Sequence, residues 1–223
     1  MKTISALVLS AVALSPLAVH AQDSNWYAVL SIGQSTFDVD EGDLDRAIKS
    51  VGLDVAKSDL DDTDTGYKIQ AGYKFNENFA VEGGYMDLGR ASYSGDAEPN
   101  ALLGVDSFHL GADVKAYGFN VDAVGTLPLG AGFSVFGKAG LIITQTEVSA
   151  AANASGVGGS ASEDEDDSET GVSPSLGVGV AFDLNETLSV RLEYQRIFAM
   201  KTAADDFDDI DADLASLGLV VRF

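Results

Sequence analysis

The chain has 223 residues, with 35 Asp and Glu against 13 Lys and Arg, a formal net charge of −22 and no cysteine. Yet 46% of its residues are hydrophobic and the mean hydropathy is +0.10, so charged and apolar residues must be segregated along it, which excludes uniform disorder. The acidity argues against nucleic acid as a partner, because like charges repel, and the missing cysteines exclude disulfides, thiolate metal sites and a thiol nucleophile.

At the N-terminus, Lys2 precedes an apolar stretch over residues 4–19 that is interrupted by Ser10 and Pro16, and Val19-His20-Ala21 ends it with small residues at both positions a signal peptidase reads. Residues 1–21 are expected to be a cleaved secretory signal, leaving residues 22–223 as one mature domain. A retained N-terminal anchor is the alternative, against which the shortness of the stretch counts. Beyond it no run of 18 or more apolar residues occurs, and 24 glycines make poor stock for long helices.

The mature chain alternates with period two, which puts successive side chains on opposite faces of a strand. Trp26, Ala28, Leu30 and Ile32 share one face, against Tyr27, Val29, Ser31, Gly33 and Ser35. Over residues 67–75 the odd positions are Tyr67, Ile69, Ala71, Tyr73 and Phe75, and the even ones Lys68, Gln70, Gly72 and Lys74. The split recurs six more times: Phe79 to Tyr85 against Glu82 and Gly84; Tyr117, Phe119, Val121 and Ala123 against Gly118, Asn120 and Asp122; Phe133, Val135, Ala139 and Leu141 against Ser134 and Lys138. It continues with Leu176, Val178, Val180 and Phe182 against Gly177, Gly179 and Asp183; Leu188, Val190, Leu192 and Tyr194 against Ser189, Arg191, Glu193 and Gln195; and Leu217, Leu219, Val221 and Phe223 against Ser216, Gly218 and Arg222. That makes eight strands.

Three links are tight, at residues 76–78, 130–132 and 185–186, where Asn and Gly supply turn chemistry; four are long, at residues 38–64, 89–113, 148–171 and 200–213. Short and long links alternate, so every long loop leaves the same end of the sheet. Short turns at one end, long loops at the other, an even strand number and an export signal predict an all-β fold, an eight-stranded antiparallel transmembrane up-and-down β-barrel, since a sheet in lipid must close to satisfy its backbone. Trp26, Tyr67, Tyr73, Phe75, Phe79, Tyr85, Phe133, Tyr194 and Phe223 fall on the outward face, mostly near strand ends, as membrane-interface aromatics do. The long loops and their strand ends hold 28 of the 35 carboxylates, so the acidity belongs to an outer crown.

Four motifs carry a resemblance: Glu82-Gly83-Gly84-Tyr85 running to Leu88-Gly89-Arg90, Thr170-Gly171-Val172-Ser173-Pro174, Arg191-Leu192-Glu193-Tyr194-Gln195, and Ser216-Leu217-Gly218 running to Arg222-Phe223. In this order, and over the whole mature chain, they resemble the transmembrane domain of the outer membrane protein A family, here a short barrel-only form without the peptidoglycan-binding domain. The resemblance implies an interior ion pair between Glu82 and Arg191, while two further positions of the family's network fall on Val124 and Ala181. It also implies a signal for the barrel-assembly machinery in Ser216, Gly218, Val221 and Phe223. By alternation alone, Lys68, Lys74, Asp122, Lys138, Asp183, Glu193 and Arg222 also face inward, where they can neutralise one another as a plug; an ion-conducting path is the alternative.

An enzyme is the remaining class. His109 is the one histidine of the mature chain, with Ser107, Asp106 and Asp113 near it in sequence, but two residues on one strand seldom give a nucleophile-to-base hydrogen bond, and no oxyanion motif is visible. Asp205, Asp206, Asp208, Asp209 and Asp211 offer weak sites for divalent cations, without the glycine of an EF-hand loop. Leu44, Ala47, Ile48, Val51 and Val55 recur at helical spacing through residues 43–57, and residues 150–162, all small, read as a flexible loop. No cofactor is implied. The expectation is a monomeric, non-enzymatic barrel of the cell outer membrane with an envelope or surface-recognition role, in contact with lipid and lipopolysaccharide. A narrow porin-like channel and a lipid-modifying enzyme dependent on His109 are the alternatives.

Overall fold

The computed structural model describes residues 25–38, 55–97, 105–156, 159–201 and 210–223. The expected signal at residues 1–21 lies outside them, as do Asp205, Asp206, Asp208 and Asp209 and most of the amphipathic stretch over residues 43–57. The last residues of that stretch are not helical: they open a strand that pairs with a neighbour, Lys57 opposite Asp96, so cross-strand backbone pairing overrides the local periodicity.

Nine strand segments run β1 (Trp26–Phe37), β2 (Val55–Asp61), β3 (Thr63–Lys74), β4 (Phe79–Ala97), β5 (Val105–Gly130), β6 (Phe133–Gly156), β7 (Gly159–Asp183), β8 (Leu188–Met200) and β9 (Ile210–Arg222). Only Asp62 separates β2 from β3, and β4 pairs with both, so the two fill one place and the ring has eight antiparallel positions. Closure comes from β1, which pairs β3 on one side and β9 on the other, from Tyr27 opposite Arg222 to Phe37 opposite Ala212. Among the described residues each wall strand pairs on both sides, which is what lipid demands.

The tight links sit where the sequence puts them. Asn76 Oδ1 accepts from the backbone N–H of Asn78 and Phe79, each at 2.9 Å, and Asn185 Oδ1 from those of Thr187 and Leu188 at 2.9 and 2.8 Å. Between β5 and β6, Gly130, Ala131 and Gly132 all have positive φ, a left-handed path that the flanking glycines accept freely.

Outward apolar side chains such as Leu30, Ile69, Phe119, Leu141, Leu176 and Leu217 are exposed, while their inward neighbours are buried. Large inward side chains fit because small ones face them. A Cβ on Gly72 would lie 2.1 Å from the Tyr27 ring, and one on Gly179 2.3 Å from that of Phe136.

Two departures from the sequence reading concern the strands, one their length and one their phase. The long links are to a large degree strand: β6 and β7 pair continuously out to Gly156 opposite Gly159, and β5 pairs β6 out to Val105. Residues 150–156 and 159–162, expected as part of a flexible loop, are therefore paired strand, because small side chains allow pairing even though they do not demand it. From Ile143 to Gly156 this adds roughly 40 Å of strand beyond the apolar wall. The second departure is a pair of bulges, between Asp87 and Arg90 in β4 and between Ile197 and Met200 in β8, with Gly89 at φ 75° and Ala199 at φ 51°. Each inserts residues that reverse the inward and outward phase, so Ala91 and Tyr93 are buried after the first and Met200 after the second.

Candidate functional site

The candidate site is the lumen, and its side chains fall into three layers. At the turn end, Tyr27, Val29, Ala80, Val124, Phe136 and Val220 form an apolar collar. At the loop end, Phe37, Met86, Leu88, Ile142, Ile197, Met200 and Leu214 pack into a second cluster. Between them lies an ionic layer built from one or two inward positions of each of five strands.

Glu82 on β4 is its hub. Arg191 of β8 donates to both carboxylate oxygens, at 2.7 and 3.2 Å, Lys138 of β6 makes a close ion pair with Oε2, and the Tyr27 hydroxyl donates to Oε1 at 2.8 Å. Glu193 is the second hub, contacted by Arg191 and Lys138 at 3.2 Å each and closely by Lys68. Lys68 also donates to Gln195 Oε1 at 3.1 Å. Asp122 accepts from Ser175 at 3.2 Å and from Asn120. All six ionised groups are at most 5% exposed. Three cations (Lys68, Lys138, Arg191) thus meet three carboxylates (Glu82, Asp122, Glu193), which leaves the buried centre without net charge. Desolvating any one of these unpaired would be strongly unfavourable, and only their mutual arrangement offsets it.

Of the residues read from the sequence as inward charges, the structure brings Glu82, Arg191, Lys68, Lys138 and Glu193 into one network and places Asp122 beside it. Lys74, Asp183 and Arg222 are not part of it. They stand at the turn-end mouth, where Arg222 Nη2 meets Asp183 Oδ1 at 2.6 Å and Asp183 is exposed, because one or two residues of strand separate them from the collar. Val124 and Ala181 belong to the collar, Val124 within it and Ala181 packed against it.

Sequence reasoning missed the loop-end cluster and Phe136. Arg191 stacks its guanidinium on the Phe136 ring at 4.9 Å, a contact that holds the cation between apolar and ionic layers. The signal for the cluster was present in β6, where Leu141, Ile142 and Ile143 break the alternation with an apolar residue on the inward face.

Outside the barrel, three tyrosines on the adjacent strands β3, β4 and β5 stand near the loop-end edge of the apolar wall and point their hydroxyls at carboxylates. Tyr67 and Tyr85 donate to Asp87 Oδ2 at 3.1 and 3.3 Å, and Tyr117 to Glu147 at 2.8 Å. Above them Arg196 gathers Asp211, Asp213 and Asp38 at 2.9, 3.1 and 3.3 Å. These hydrogen bonds, led by that to Asp211, hold the guanidinium charge still more firmly than usual. The Ala199 N–H, 2.9 Å from Asp211 Oδ1, together with Arg196 holds the Asp211 carboxyl below its ordinary range. Asp211, one of the residues offered for cations, is therefore occupied by protein donors. Among the described residues no group of three or more metal-ligating side chains occurs.

His109 and Ser107 each take another partner: His109 Nδ1 lies 2.9 Å from Asp96 Oδ1, while Ser107 Oγ pairs with Ser155 Oγ at 2.8 Å. Of the terminal motif, Ser216 and Gly218 face inward and Phe223 is exposed beside the first strand, its N–H donating to the Trp26 carbonyl at 3.1 Å.

A family model described as outer membrane protein beta-barrel domain matches residues 4–223. Among solved structures, the chain is similar to Neisserial surface protein A, with 14% identity over 90% of this chain and 98% of that one at a TM-score of 0.48. It is similar to the attachment invasion locus protein Ail of Yersinia pestis, with 16% identity over 91% and 100% at 0.44, and to the outer membrane protein OprG of Pseudomonas aeruginosa, with 14% over 90% and 98% at 0.41. No curated protein matches the sequence.

Proposed function

The chain belongs to the outer membrane protein beta-barrel domain family, and from that premise we propose that it is a non-conducting, non-enzymatic barrel whose work is done at the cell surface by its extended acidic hairpins. It is an outer membrane β-barrel protein, so the turn end faces the periplasm and the loop end the exterior. The observation that carries the proposal is the closed lumen: a neutral ionic layer lies beneath an apolar one, and a hydrated ion would have to shed its water to pass either. An eight-stranded barrel is only wide enough for its own side chains. What remains free to meet a partner is the crown, where β4 to β7 carry strand far beyond the wall. Rigid paired strands position recognition residues more precisely than free loops do.

In this reading the protein is a monomer among outer-membrane lipid and lipopolysaccharide, delivered by the barrel-assembly machinery through Ser216, Gly218, Val221 and Phe223, with divalent cations screening the crown. Planar bilayer recordings of the purified protein test it: the expected result is no discrete conductance above the bare membrane. Reproducible unitary steps would replace it with the narrow channel, and a lipid-modifying activity lost in His109→Ala would replace it with the enzyme.

A further inference from the structure

Among the described residues, the charges on the inward face from the ionic layer to the turn end do not balance. Over that span they are Lys68, Lys74, Lys138, Arg191 and Arg222 against Glu82, Asp122, Asp183 and Glu193, five cations and four carboxylates, on a chain whose net charge is −22. The surplus is located at Lys74. The four carboxylates are taken up as described above, three in the centre and Asp183 by Arg222, which also donates to the Glu186 carbonyl at 3.3 Å. Lys74 has the Tyr27 ring at 5.7 Å as its neighbour and, among the described residues, no carboxylate in ion-pair contact.

This ammonium lines a cavity of about 70 Å³ inside the periplasmic mouth. Arg222 lines it too, and so does Arg191 at its inner end, 5% exposed; the Nε of each guanidinium is buried behind the wall without a hydrogen-bond partner. Ser134 and Thr126 add hydroxyls to the wall, and the apolar collar forms the rest. The carboxylates that touch the cavity are Glu82, engaged by Lys138, Arg191 and Tyr27, and Glu77, exposed at the outer lip. Three cations line this small space against two carboxylates, and Lys74 is the cation among them with no ion-pair contact, so the wall can take up a single negative charge.

We propose that this vestibule binds a small oxyanion, a phosphate or carboxylate group, entering from the periplasmic side and lying between Lys74, Arg222 and Arg191. Its cavity is too small for more than the anionic group itself, so a larger molecule would present that group and remain outside. The group can come from a free anion or from an anionic lipid headgroup of the inner leaflet.

Calorimetric titration of the folded full chain with inorganic phosphate tests the site, against sodium chloride at matched ionic strength, in maltoside micelles that contain no phosphate. The expected result is a saturable heat for phosphate and none for chloride. Affinity should fall roughly tenfold in Lys74→Gln, about the worth of one charge-assisted hydrogen bond, and stay unchanged in Lys115→Gln on the outer surface. Heat-modifiable gel migration establishes that each variant is folded; should Lys74→Gln fail this, Lys74→Arg, which keeps the charge, must retain the heat. Repeating the titration in nanodiscs of zwitterionic lipid and of phosphatidylglycerol separates the two sources: loss of the phosphate heat only in the anionic discs identifies the headgroup as the occupant. No saturable heat in any of these settings, or equal affinity in wild type and Lys74→Gln, overturns the proposal.

Discussion

Lys138→Met is the sharpest test of the ionic layer. The side chain lies between the two hubs, paired closely with Glu82 and at 3.2 Å from Glu193, and it is 4% exposed. Methionine preserves the length of the stem but removes the charge, leaving three central carboxylates to two cations. Removing one partner of a buried pair destabilises by about 3–5 kcal/mol, because the charge left behind stays desolvated. Adding Glu193→Gln restores equality, with Glu82 and Asp122 against Lys68 and Arg191, so the double variant should recover part of the loss through a coupling of about 1–3 kcal/mol. The assay is reversible unfolding by urea in lipid vesicles, followed by heat-modifiable migration and by fluorescence of the single tryptophan, Trp26. Because the layer is buried, the difference between variants should change little between low and high salt. A Lys138→Met cost below about 1 kcal/mol, or a double variant that loses the sum of the two single losses, would refute the argument that charge balance holds the centre together.

Three further outcomes are expected. Ile142→Ala removes a fully buried side chain from the loop-end cluster and should destabilise by about 2–5 kcal/mol in the same assay while the bilayer remains silent, since the ionic layer still closes the lumen; unitary conductance in this variant would assign the seal to the apolar layer alone. Gly72→Ala forces the Tyr27 ring away from the position its hydroxyl needs to reach Glu82, and should destabilise by roughly 1–3 kcal/mol, whereas the doubly substituted Gly72→Ala, Tyr27→Leu chain should fold with less strain. At the outer rim, Asp211 titrates below its ordinary range in the folded barrel, so its contribution is present above the unfolded carboxylate value of about 4 and is lost as pH falls through the lower folded value. Hydrogen exchange at the Ala199 amide should therefore accelerate, beyond its intrinsic pH trend, on acidification below about pH 4, and an unchanged profile in Arg196→Gln combined with Asp211→Asn would show that the cluster does not order the rim.

The period-two pattern made the wall legible from the residues alone. Trp26, Ile69, Phe119, Leu176 and Leu217 face outward because a strand has no other way to place alternate side chains, and the same rule turned Lys68, Glu82, Lys138, Arg191 and Glu193 inward. The turn chemistry of Asn76 and Asn185 fixed which end holds the short links. Alternation gives the face of a side chain but not its height in the barrel, so it could not separate Lys74, Asp183 and Arg222, which stand at the mouth, from the charges that meet in the centre.

Three matters were decided only by tertiary structure. Glu82 and Arg191 are 109 residues apart, and their contact depends on strand tilt and on the register of every pairing between β4 and β8, quantities no local pattern contains. The bulges at Gly89 and Ala199 reverse the phase partway along a strand, so Ala91 and Met200 turn inward where strict alternation would turn them out. Finally, residues 150–156 and 159–162 are strand although nothing in their composition requires it. Within the wall, burial against lipid and lumen specifies the structure residue by residue, and so it is written in the sequence. Above the wall, water lies on both sides, and the hairpin exists because each backbone finds its partner on the neighbouring strand.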